Sequence, residues 1–119
     1  MAIEPPTARG LKLQLERKAN ETIVHCNGQI TAENSDMFQS KIRDLIPESR
    51  GEIAASAYRI VLDFSNVTHI DSAGMGTLLG TWTAAQIKGC NLEIANLNPR
   101  IEKLVQMAKL NTVFKRAPG

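Results

Sequence analysis

The sequence predicts one α/β domain, a mixed, mostly parallel sheet of four to five strands with packed helices, and three observations carry that prediction. Strand-like apolar runs and helical apolar periodicities alternate through most of the 119 residues, the pattern of a sheet whose neighbouring strands are joined by helices. Two short strand patterns at the start, over residues 11–16 and 22–26, read instead as an antiparallel hairpin. Ile60, Val61 and Leu62 form an uninterrupted apolar run, as expected of a central strand covered on both faces. The length suits a single core, and right-handed crossovers are expected between the parallel strands.

Residues 1–10, with Pro5 and Pro6 and no periodicity, are expected to be a flexible leader, residues 11–115 the domain and residues 116–119 a flexible tail. Leu11, Leu13 and Leu15 alternate with Lys12, Gln14 and Glu16, the mark of a strand with one wet face. Asn20 and Glu21 supply a turn, the second strand covers residues 22–26, and Gly28 closes it before Ile30. Thr31 is read as the N-cap of the next helix, with Glu33 in its first turn, Phe38, Ile42, Leu45 and Ile46 as its buried stripe, and Pro47 at its end. Residues 48–58 form a long, alanine-rich connection, compatible with an extension of that helix or with a separate helical turn.

The central strand is expected to end at Asp63, and residues 67–70 lead into Asp71 and Ser72. Beyond them Met75, Leu78, Leu79, Trp82 and Ala85 recur at helical spacing, and Lys88 with Gly89 provides a C-terminal cation and a terminating glycine. Leu92 and Ile94 make the next strand. Asn98 then caps a helix that opens with Pro99 and buries Ile101, Leu104, Val105 and Ala108. Residues 112–114 are expected to add a short final strand.

Composition excludes several functions. The formal net charge is +2, with basic residues interspersed among acidic ones, so there is no basic tract of the kind that binds nucleic acid. No apolar run approaches the ~20 residues that span a bilayer, and residues 1–10 lack the basic-then-apolar order of a signal peptide, which implies a cytoplasmic protein without membrane insertion. Cys26 and Cys90 belong to no Cys-x-x-Cys pair, and only His25 and His69 could add nitrogen ligands. They are read as small buried thiols, and no metal is expected.

The candidate site is Asp71-Ser72-Ala73-Gly74-Met75-Gly76, where a strand-led loop becomes a helix. The first N–H groups of a helix lack internal partners, so a hydroxyl placed there either caps the helix or carries an added anion. Gly76 and Gly80 each weaken a helix interior by roughly 1 kcal/mol relative to alanine. Ser72, Gly76 and Gly80 are four residues apart and make one ridge almost without side chains, which admits either a partner or a close contact inside the same domain. A nucleophile elbow would need glycine where Ile70 stands, and His69 and His25 are poorly spaced to serve as a base. Gly74, Gly76 and Gly80 are spaced one residue too widely for a dinucleotide fingerprint, and no phosphate-loop lysine follows. Neither an enzyme nor a cofactor is expected. Asp63 and Asp71 are read as ending a strand and shaping the loop before the helix.

Residues 59–76, Arg-Ile-Val-Leu-Asp-Phe-Ser-Asn-Val-Thr-His-Ile-Asp-Ser-Ala-Gly-Met-Gly, resemble the signature of the STAS domain family of bacterial anti-sigma factor antagonists. The resemblance continues through Leu92-Glu93-Ile94-Ala95 and Asn98-Pro99 to Val113-Phe114, about residues 11–115 in all. It implies the same fold and a protein-binding switch. In that family the antagonist binds an anti-sigma factor that is also a serine kinase; phosphorylation of the antagonist serine, here Ser72, releases it, and a serine phosphatase resets it. The implied partner-binding residues are Thr31, Asp71, Ser72, Ala73, Gly74, Met75, Gly76 and Gly80. The family often has an aspartate where this chain has Thr31, after Gly28-Gln29-Ile30. Other relatives serve as accessory subunits of a transporter ATPase or as scaffolds of stress-sensing complexes, and homo-oligomerisation is left open.

Overall fold

A computed structural model of the protein describes residues 7–46, 58–109 and 115–116. Leu11 and Leu13 are buried while Lys12 and Gln14 are exposed, and this alternation makes strand β2 (Leu11–Arg17). A two-residue strand, β1 (Thr7–Ala8), pairs antiparallel with it, Thr7 opposite Lys12 and Ala8 opposite Leu11. Regular pairing therefore begins inside the stretch expected to be a leader. On its other side β2 pairs antiparallel with β3 (Glu21–Ile30), Leu13 opposite Cys26.

Gly28 does not close β3. The strand runs on to Ile30 with Gly28 at φ +119°, and a Cβ there would collide with the carbonyl oxygen of Gly10. Left-handed backbone and close approach both favour glycine. Strand β4 (Arg59–Ile70) lies parallel to β3, from Glu21 opposite Arg59 to Ile30 opposite Ile70. It also passes the expected stop at Asp63, burying Phe64, Val67 and Ile70 beyond it. Strand β5 (Asn91–Ala95) is parallel to β4, and a two-residue strand, β6 (Lys115–Arg116), is parallel to β5. The sheet order follows the chain order from β1 to β6. Four long strands with a parallel centre match the predicted fold class.

Among the described residues three helices connect these strands or follow them: α1 (Ser35–Leu45), α2 (Ser72–Ile87) and α3 (Pro99–Met107). Helix α1 starts later than expected. Asn34, not Thr31, occupies the N-cap position, and Glu33 lies in the preceding turn closed by Asn34 N–H to Thr31 O at 3.1 Å. Its buried stripe of Phe38, Ile42 and Leu45, followed by Ile46, is as read from the spacing. Helix α3 has the expected entry, with Pro99 first and the Asn98 side chain accepting the Ile101 N–H at 2.9 Å. Ile101 and Val105 are buried and Leu104 is half-buried, but Ala108 lies just past the last turn and is exposed.

In α2, Leu78 and Ala85 face the core and Met75 and Trp82 are half-buried, whereas Leu79 is 41% exposed. Successive helical residues are turned by about 100°, so Leu78 and Leu79 cannot share one face, and Gly74 and Thr81 complete the buried side. Lys88 is the C-cap, followed by Gly89 at φ +74°. Cys26 and Cys90 are buried free thiols, and burial pushes the Cys90 thiol up to about 11. The expectations for residues 48–57 and 112–114 lie outside the described residues.

Candidate functional site

Parallel pairing brings Ile30 and Ile70 side by side, so the loops that leave β3 and β4 emerge together at one end of the sheet. Asp71 joins them. Its N–H donates to the Ile30 carbonyl at 3.2 Å, its Oδ1 accepts the Gly74 N–H at 2.7 Å and its Oδ2 accepts the Ala32 N–H at 3.2 Å. One carboxylate thus caps α2 and pins the neighbouring loop. Ser72 is consequently the first residue of the helix rather than its cap. It is exposed, and its hydroxyl has no hydrogen-bond partner among the described residues.

Gly76 and Gly80, whose role spacing alone left open, and Gly74 do different things. Gly74 is buried, and a Cβ built there would overlap the Ile30 carbonyl oxygen and come within 2.9 Å of the Ile30 carbonyl carbon and of Ile70 Cγ2. It admits the helix to the sheet inside this domain and offers no surface to a partner. Gly76 is exposed, with nothing within 4 Å of a built Cβ. Gly80 leans on α1, with Gln39 Nε2 at 3.3 Å from the built Cβ. The free face at this end of α2 is therefore Ser72, Ala73 and Gly76, with Met75 half-buried beside them.

Thr31 is half-buried in the loop beside this face, and Ala32 and Glu33 are exposed. Asn34, which the sequence reading did not single out, builds that loop. It is 1% exposed; its Oδ1 accepts the Thr31 N–H and its Nδ2 donates to the carbonyls of Arg9 and Gln29, all at 3.0 Å. The Ser35 hydroxyl donates to the Thr31 carbonyl at 2.7 Å. Asparagine four residues after the end of a strand is a turn-forming signal that could have located this anchor.

Titratable groups cluster elsewhere on the sheet. His25 Nδ1 lies 2.6 Å from Asp63 Oδ2 and its Nε2 3.1 Å from Glu16 Oε1. The Asp63 hydrogen bond is the main influence holding the His25 pKa above its ordinary value, against the opposing effect of burial. Burial pushes the Asp63 carboxyl up, but bonds from Asn96, the Ser65 N–H and His25 outweigh it and bring it down to about 2. A raised histidine pKa stabilises the fold fully below the unfolded value of 6.5, and the effect is lost as pH rises through the folded value. Wild-type urea midpoints should therefore fall as pH rises through that window, and those of His25→Gln should fall less. Asp63 contributes with the opposite sense: its stabilisation is present above the unfolded value of 3.8 and lost as pH falls towards 2. An equal pH slope in wild type and His25→Gln would remove the histidine from this account.

No hydrogen bond joins Ser72 to either histidine among the described residues, and no group of three or more His, Cys, Asp or Glu side chains there could hold a metal ion. None of the described helices is long and apolar enough to cross a membrane. An exposed serine thus lies beside a pinned loop at this end of the sheet.

The STAS domain family matches residues 12–118, and the chain belongs to that family. Among relatives, it is 28% identical over 108 residues to the anti-sigma F factor antagonist of Paenibacillus polymyxa, covering 91% of this chain and 85% of that protein. The fold is similar to that of an anti-sigma factor antagonist from Mycobacterium paratuberculosis, with a TM-score of 0.73 at 16% identity, covering 92% of this chain and 86% of the other. It is also similar to the Bacillus cell fate determinant SpoIIAA in its phosphorylated form, with a TM-score of 0.62 at 20% identity, covering 89% and 91% respectively. At such identities the structural likeness speaks for the fold alone.

Proposed function

We propose that the protein is an anti-sigma factor antagonist, a cytoplasmic binding protein rather than an enzyme, whose contact face is built around Ser72 and is switched by phosphorylation there. The observation that carries this reading is the exposed Ser72 hydroxyl, without a hydrogen-bond partner among the described residues because Asp71 supplies the helix cap. The face comprises Ser72, Ala73, Met75 and Gly76 on α2 and the Thr31 loop held beside it by Asp71; Gly74 and Gly80 set its geometry from beneath. The partner is an anti-sigma factor with serine kinase activity, and a serine phosphatase restores the free state. Likeness to the Paenibacillus antagonist across most of both chains supports an anti-sigma factor as the partner.

A phosphate would add about −1.5 to −2 charges at a helix N-terminus, which tolerates an anion, so the fold should persist. A closely fitted partner should not tolerate it, because the phosphate adds bulk and places new charge beside the Asp71 carboxylate. Wild type, Ser72→Ala and Ser72→Glu used as baits in lysate of the source cell test the proposal. A serine-kinase-like ATPase should be retained by the first two and lost at least about tenfold from the third, a change of about 1.4 kcal/mol in binding. Equal retention by all three baits, or capture of a transporter ATPase regardless of residue 72, would overturn it.

A further inference from the structure

Helix α2 contains no charged residue from Ser72 to Ile87, although one whole side of it faces outward. That side is formed by Ser72, Gly76, Leu79, Thr83 and Ile87, with Leu79 41% and Ile87 80% exposed. Steps of four, three, four and four residues keep these positions on one line, the spacing with which one helix packs along another. Leu79 and Ile87, with Ile46 just past α1, line a groove of about 770 Å³ in which Gly76 leaves bare backbone and Gly80 sits beside Gln39. The charged residues that line it, Arg43 and Lys88, stand at its C-terminal end, neither with an ion pair among the described residues. Beyond its N-terminal end lie Asp71 and the loop it holds, whose exposed Glu33 is 3.7 Å from the likewise exposed Arg9, so that end carries two carboxylates against one guanidinium.

We propose that this face is a homodimer interface in which the α2 helices of two copies pack antiparallel about a two-fold axis near Leu79 and Gly80. That axis puts Leu79 of each copy over the bare backbone of Gly76 and beside Gly80 in the other. It also brings Arg43 and Lys88 to the acidic end of the second copy, and because the contact is isologous each match is made twice. The antiparallel helix dipoles favour the same arrangement. A second copy is the occupant that supplies both the uncharged seam and the complementary charge at each end. The interface starts at Ser72, so the dimer would cover the residue that the functional proposal exposes to a partner, but self-association does not depend on that proposal.

The seam is 16 residues long, about 24 Å at 1.5 Å per residue, which is small for a stable interface, so a weak, concentration-dependent dimer is expected. Sedimentation velocity of the full chain from about 5 to about 500 µM tests for it. Wild type should pass from monomer to dimer. Leu79→Glu and Ile87→Glu, at exposed positions and checked for folding by circular dichroism, should each weaken the dimer at least about tenfold; Thr83→Arg replaces either one if it does not fold. Lys88→Glu should also weaken the dimer, and adding Glu33→Lys in the same chain should restore part of the loss. A monomer throughout the range overturns the proposal, and a dimer indifferent to Leu79→Glu and Ile87→Glu would place the contact on another face. The assay contains no anti-sigma factor, so its failure leaves the functional proposal standing.

Discussion

Gly74→Ala is expected to destabilise the domain by about 3 kcal/mol, the upper end for overpacking, because its methyl group would meet backbone rather than a side chain able to rotate away. The obstruction is the Ile30 carbonyl at the end of β3, with Ile70 Cγ2 behind it. Gly76→Ala, two residues further along, should have the opposite sign. Its Cβ meets nothing within 4 Å, so alanine removes glycine's helical disadvantage and stabilises by about 1 kcal/mol. Urea midpoints of the two variants, measured side by side, check both signs. Two destabilised variants would mean that Gly76 is packed against something, and two neutral ones that the α2 entry yields easily. The expected strain at Gly74 also bears on function, since relieving it moves the first turn of α2, and Ser72 with it, away from the end of β3 and the Thr31 loop.

The larger features were legible because periodicity reports burial directly: the alternation of residues 11–16, the run at Ile60 to Leu62 and the Asn98-Pro99 entry all correspond to observed elements. Errors arose where tertiary contacts satisfy a group that looked like a local stop. Asp63 reads as the end of a strand because a carboxylate in a sheet is costly; His25, Ser65 and Asn96 bond it, and β4 continues for seven more residues. Gly28 likewise reads as a break, but it serves as the point where the β1–β2 turn approaches β3. Thr31 has the right chemistry for an N-cap, yet Asn34 takes that position, and bonds its side chain to Thr31 N–H, Gln29 O and Arg9 O, a set that includes a carbonyl 25 residues away. At the candidate site the serine, the capping region and the glycines were all visible in the sequence. Their division of labour was not, because whether Ser72 or Asp71 caps the helix depends on one residue of phase, and helix boundaries are uncertain by that much.

That single residue of phase leads to the second large effect. Asp71→Ala should cost about 2 kcal/mol and Ser72→Ala no more than about 0.5 kcal/mol, although the two residues are adjacent at the same helix end. Loss of a capping side chain typically costs about 1 kcal/mol, and the Asp71 carboxylate also accepts the Ala32 N–H, a charge-assisted bond whose loss adds a comparable amount at this half-buried position. Asp71→Asn should fall between them, because asparagine caps as well as aspartate but lacks the charge. Urea midpoints measure the energies, and amide hydrogen exchange separates the two bonds: in Asp71→Ala both Gly74 and Ala32 should exchange faster, while in Ser72→Ala neither should change. If Ser72→Ala instead costs as much as Asp71→Ala, the hydroxyl is part of the cap and a phosphate there would disrupt the helix it was meant only to mark. If the energies separate as expected, Ser72 is a position where charge can be added and removed without disturbing the fold, the physical requirement for a reversible switch.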